Sequence, residues 1–141
     1  MKKKVIEWAR RYGLPLIIGY ILTLSVAFGT KLLFGSLVLS AYLATWADNC
    51  GFYGTIAYRD LKARGKLSFS NFFKVVRNMI VEFGPAEYVD SLVIRPLFLA
   101  TFPLFISNYL LAIFLGMLAG EVTFFIPVII AYEFRKKAFK D

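Results

Sequence analysis

Three side chains able to do chemistry stand where so apolar a chain would ordinarily carry none. Asp48, Arg95 and Glu121 each fall near the middle of an apolar run of roughly 20 residues, the length that spans a bilayer. An ionisable group at that depth costs about 2.5–3.5 kcal/mol by insertion scales, so each needs a partner or a task. Counted from the cytosolic ends of their runs at 1.5 Å per residue, all three lie roughly 13–18 Å deep. A guanidinium sharing a layer with two acids can set helix register through an ion pair. It can also grip a phosphate with its planar fork. Either way a surplus acid remains, free to carry a proton, receive a cationic headgroup or pair with another subunit.

The residues around these three extend the candidate site. Asp48 lies in TWADNCGFYG, residues 45–54. At about 100° per residue, Ala41, Ala44, Asp48, Gly51 and Thr55 share a narrow stripe of mostly small residues that admits a neighbouring helix. Tyr42, Trp46, Asn49 and Tyr53 form an adjoining stripe that could line a pocket or tie two helices together. The segment AEYVDSLVIRP, residues 86–96, adds further charge: Tyr88, Ser91, Arg95 and Phe102 share one helical face, Glu87 and Asp90 another. Pro96 and Pro103 each remove an N–H and free a carbonyl that hydroxyls, neighbouring helices or water must satisfy. Gly116 and Gly120 form a GxxxG packing signal just before Glu121. The expected substrate- or proton-binding set is therefore Asp48, Asn49, Tyr53, Glu87, Asp90, Arg95 and Glu121. Ala44, Gly51, Gly116 and Gly120 are expected at helix contacts.

Catalysis finds little support. The chain has no histidine, the commonest general base and metal ligand. Its lone cysteine, Cys50, forms neither an internal disulfide nor a CxxC site and reads as core packing. No catalytic residue, metal or cofactor is expected.

These residues need elements to hold them. Of 141 residues 59% are hydrophobic and the mean hydropathy is +0.65, well above the 45–50% apolar share of water-soluble domains. The chain reads as an all-α integral membrane protein, a single domain built as a bundle of four transmembrane helices with two short interfacial amphipathic helices. The expected order is an interfacial helix 1–13, spans 14–34 and 37–58, and a cytosolic loop 59–70. A second interfacial helix 71–83 then ends at Gly84-Pro85, followed by spans 86–106 and 108–133 and a tail 134–141. The basic start followed by an apolar run also looks like a signal peptide. The run is too long, however, and lacks a small-x-small site near Phe28, so cleavage is not expected.

The formal charge of +8 is concentrated: 15 of 17 Lys and Arg fall in three clusters. Lys2, Lys3, Lys4, Arg10 and Arg11 make the first; Arg59, Lys62, Arg64, Lys66, Lys74 and Arg77 the second; Arg135, Lys136, Lys137 and Lys140 the third. The positive-inside rule puts both termini and residues 59–77 in the cytoplasm, at a plasma or inner membrane. The expected partners are anionic lipid headgroups rather than nucleic acid.

The two halves share a plan at an offset of 71–74 residues. Tyr12-Gly13 corresponds to Phe83-Gly84, Asp48 to Glu121, and Ala57-Tyr58 to Ala131-Tyr132. Two spans per half predict a 2+2 parallel pseudo-repeat with a site between the halves. Four short spans enclose little volume, so a homo-oligomer or a larger membrane complex is expected. The composition points to a transporter, flippase-like or channel-like protein with a charged mid-membrane site; the alternative is a non-catalytic subunit or assembly factor. In size, span plan and basic ends the chain is similar to the small GtrA-type membrane proteins, through GEVTFFIPVIIAYEFRKKAF at residues 120–139. That similarity implies movement of polyprenyl-linked sugars. The family's Asn-Arg-aromatic tail is absent, and the acidic start of the third span is foreign to it.

Overall fold

The computed structural model describes residues 2–139, and these are all-helical. Lys140 and Asp141, the last of the basic tail, lie outside the described residues. Helix α1 runs Lys2–Phe34, α2 Leu37–Ala63, α3 Phe69–Val89, α4 Arg95–Phe105 and α5 Tyr109–Ala138. A π-helical turn, Asp90–Ile94, joins α3 to α4 without a break. Three stretches are long and apolar enough to cross a membrane: Lys2–Phe34, Phe69–Phe105 and Tyr109–Ala138. Helix α2 has the length too, but Asp48 and Asn49 dilute its hydropathy.

Local chemistry sets the ends. Gly35 adopts φ 66°, a left-handed conformation that glycine tolerates, and its N–H bonds the Lys31 carbonyl at 2.9 Å to close α1. Ser36 then caps α2 and Asn108 caps α5, each side chain accepting from the N–H three residues on. Ser68 caps α3 in the same way.

Several expected boundaries differ, α5 among them, which runs on past Glu133 to Ala138. The helix expected to end near Gly13 continues straight into the apolar run, because Pro15 frees only one carbonyl, that of Arg11. Arg59 on α2 satisfies it, donating to the Arg10 and Arg11 carbonyls at 2.9 and 3.2 Å. The helix expected to stop at Gly84-Pro85 also continues, through the π turn to Phe105. Helix α2 extends past Tyr58 to Ala63, so the loop is only residues 64–68. Pro96 repeats the pattern at Pro15: the Leu92 carbonyl four residues before it accepts the Tyr42 hydroxyl at 3.2 Å.

Helix α1 packs against α2 and α5, and α2 against the α3–α4 rod, which packs in turn against α5. The interior is layered. At the turn end, Ser40 bonds Thr30, Tyr109 and the Ala27 carbonyl at 2.7–2.9 Å. Ala27, Ala41, Ala44, Leu99, Ile113 and Met117 form the first apolar layer. A charged layer follows, then a second apolar layer of Tyr12, Phe52, Ile56, Phe83, Phe124 and Val128. The outward faces carry large exposed apolar side chains such as Leu32, Leu33 and Phe105.

Small residues let α1 and α2 approach closely. A Cβ at Gly51 would meet the Gly19 backbone at 3.3 Å and a Leu22 methyl at 2.7 Å, while one at Gly19 would run into the Asp48 carboxylate. Gly19→Ala is expected to lower stability by about 1–3 kcal/mol through overpacking. Gly29→Ala, where a Cβ meets nothing within 4 Å, should raise it by up to about 1 kcal/mol through helix propensity. Unfolding curves of both variants in detergent micelles check the contrast.

Candidate functional site

The charged layer is built from three helical rods around one guanidinium. Arg95, 3% exposed, donates through Nη1 to Asp48 on α2. Its Nε reaches Asp90 at 2.8 Å, and its Nη2 lies 3.4 Å from Glu121 on α5. The Phe124 ring covers the guanidinium at 5.7 Å. On the α1 side, the wholly buried Thr23 donates to the Gly19 carbonyl at 2.9 Å, and Gly19 leaves the Asp48 carboxylate its room.

The π turn brings Asp90 to Arg95. In an α-helix, residues five apart point about 140° away from each other, which is why Asp90 was expected on a face apart from Arg95. Here the Arg95 N–H bonds the Asp90 carbonyl five residues back, and the extra residue in the turn stacks the two side chains. Tyr88, expected beside Arg95, is instead 74% exposed.

A second group adjoins the first. Glu87 accepts from Asn49, at 2.8 Å, and from Tyr53 and Ser91; Asn49 also donates to Ser91 at 2.7 Å. Glu87 faces two side clefts between α2 and α3, of about 360 and 340 Å³. Trp46, Cys50, Tyr88 and Leu92 wall the larger one. Asn49 and Tyr53 then line an internal void of only about 10 Å³ with Asp48, Arg95 and Glu121, room for about one water. The seven expected site residues thus form one connected cluster. Cys50 is corrected: it is exposed on the outer flank of α2, not packed in the core, because Gly51 and Asp48 take the inward stripe. Of the expected contact residues, Ala44 sits in the first apolar layer and Gly51 faces Gly19. A Cβ at Gly116 would meet the Phe98 carbonyl at 3.2 Å, and one at Gly120 would lie 4.0 Å from Asp90 Oδ1.

Charge is unbalanced in this cluster. Three carboxyl groups share one guanidinium, a fourth, Glu87, bonds only neutral side chains, and Asp90 Oδ1 and Glu121 Oε2 are buried without a hydrogen-bond partner. Among the described residues, no three acidic or cysteine side chains are arranged to hold a metal ion.

A further network, not anticipated from the sequence, lies beyond the aromatic layer. Arg11 bonds Glu82 twice at 2.8 Å and Asp60 at 3.1 and 3.2 Å. Tyr12 donates to Glu82 at 2.7 Å, and Arg135 stands 3.2 Å from it. Glu82 is fully buried, the third member of an inward stripe with Val75 and Asn78. An acid at helical spacing from two inward residues was its one sequence signal. Nearer the surface, Glu7 accepts from Lys136 and Tyr132 at 2.7 Å.

No family model, curated protein or solved structure matches this chain.

Removing the guanidinium should cost more than removing any one acid. Arg95→Met strands three carboxylates, and the expected loss is about 3–5 kcal/mol. Adding Asp48→Asn and Asp90→Asn to that variant should recover part of the loss. Unfolding by a graded denaturing detergent, followed by helical circular dichroism, measures both.

Proposed function

We propose that the chain is a small integral membrane transporter, flippase-like or channel-like in plan, that moves protons through the Arg95 layer, alone or coupled to a substrate. In this reading α1, α2, the α3–α4 rod and α5 all cross the bilayer, with both termini and residues 59–77 in the cytoplasm. The two helical hairpins form a 2+2 pseudo-repeat. Support for the repeat comes from the capping residues Ser36 and Asn108, 72 positions apart. The pair Arg11 and Glu82, 71 apart, bond directly to each other.

The observation carrying the reading is the excess of carboxyl groups over cations around Arg95. An apolar interior does not hold several uncompensated anions, so protons make up the difference. Glu121 is the acid suited to exchange one: its contact with Arg95 is the longest of the three, and one of its oxygens is unbonded. Glu87, reached from the side clefts, links the lipid-facing surface to Asn49, Tyr53 and the inner void. A void of about 10 Å³ passes nothing larger than water, so a larger substrate would travel along the side clefts or between copies in a homo-oligomer.

The closed centre also favours a second reading, in which the chain is a non-catalytic subunit whose charges only fix helix register. Reconstitution separates the two. In liposomes containing a pH-sensitive dye and a potassium diffusion potential, the wild type should carry proton flux above protein-free vesicles. Glu121→Gln should cut that flux at least tenfold while remaining monodisperse. Absence of flux from the monodisperse wild-type protein would sink the transport reading, and heterogeneity in isolation would favour the subunit.

A further inference from the structure

The cytoplasmic ends of α1 and α2 enclose a bowl of about 620 Å³ in which acids and bases are unequally committed. Asp60 is taken by Arg11, and Glu7 by Lys136 and Tyr132. Arg10 and Lys62 line the same bowl with no carboxylate partner among the described residues. Arg59 spends one guanidinium nitrogen on the Arg10 and Arg11 carbonyls, which anchors the head and leaves its other donors over the bowl. Three cationic heads therefore surround a space that no carboxylate among the described residues fills.

A furrow of about 470 Å³ opens from this bowl and shares Leu14, Tyr58 and Arg59 with it. It runs up the seam of α1 and α2 past Thr55, Gly54 and Gly51 to Cys50. Arg59 to Cys50 is about 13 Å at 1.5 Å per residue. The furrow exists because α2 presents small side chains there: a Cβ at Gly54 would meet nothing within 4 Å. A basic bowl leading into a narrow, largely apolar furrow matches a phosphate that carries an alkyl chain. Soluble phosphate would use the bowl and leave the furrow idle.

We propose that bowl and furrow form a binding site for one anionic phospholipid of the cytoplasmic leaflet, its phosphate among Arg10, Arg59 and Lys62 and one acyl chain along Gly54 and Gly51. The orientation rests on the membrane-spanning reading above but not on proton movement. The site differs from diffuse attraction of basic clusters to an anionic surface because it is single and has a shaped tail groove.

The test uses the full chain in detergent, with bound lipid counted by native mass spectrometry and folding followed by the thermal midpoint. One phosphatidylglycerol per chain should be retained, at least tenfold more than phosphatidylcholine. The double variant Arg10→Gln/Lys62→Gln should lower retention at least fivefold, whereas Lys74→Gln, outside the bowl, should leave it unchanged. Gly54→Leu or Cys50→Phe, each filling the furrow with every charge intact, should also lower retention at least fivefold at an unaltered midpoint. Equal retention of the two lipids would overturn the proposal, as would furrow variants that both fold and bind normally. Inorganic phosphate displacing the lipid at millimolar concentration would assign the bowl to a soluble anion instead. Lipid retention without proton flux would leave this site standing and remove only the transport reading.

Discussion

A guanidinium in an apolar interior has no neutral form to retreat to, so everything around it must answer its charge. Arg95 draws Asp48 from α2, Asp90 from its own rod and Glu121 from α5, and this convergence fixes the register of three rods at once. Desolvation cancels most of the attraction in such pairs. What the layer provides is specificity: a slip of one residue in any rod would carry a carboxylate away from the guanidinium. Gly19 and Gly51 are consequences of the same constraint, since Asp48 can face Arg95 only if α1 yields space behind it.

The cross-section alternates. Polar groups at the turn end, small aliphatic residues, charges, aromatic rings and a second ion network follow one another along the axis. Phe52, Phe83 and Phe124 separate the two charged layers, with ring centroids 5.7–6.4 Å apart. Arg95 lies against one of these rings, and Arg11 lies over Tyr132 at 5.1 Å. The aromatic layer therefore borders both networks with π-faces toward cations, a way of packing rings beside charge without further hydrogen bonds.

Much of this was legible in the sequence because depth along an apolar run is simple arithmetic. Asp48, Arg95 and Glu121 could be placed in one layer by counting residues, and the inward stripe of Ala41, Ala44 and Asp48 follows from helical periodicity. Asp90 was misplaced because periodicity assumes 3.6 residues per turn, and the π turn breaks that assumption at the site itself. Arg11 escapes notice because it sits beside Arg10 in a basic cluster, and Glu82 because its segment reads as a surface amphipathic helix; only a fold shows that the Arg11 head turns inward. The helix continuing past Gly84-Pro85 defeated local reasoning in another way: a proline ends a helix only where neither packing nor a side chain makes good the lost bond.

Two of the carbonyls freed by prolines, those at Pro15 and Pro96, tie different parts of the chain together. The Arg11 carbonyl waits for Arg59, 48 residues downstream, and the Leu92 carbonyl is met by Tyr42, translated 50 residues before it. Helix α1 therefore completes its backbone bonding only with α2 beside it, whereas the α3–α4 rod takes its donor from a helix earlier in the chain. The two hairpins are thereby joined through their prolines: the first is closed on itself, and the second is closed on the first.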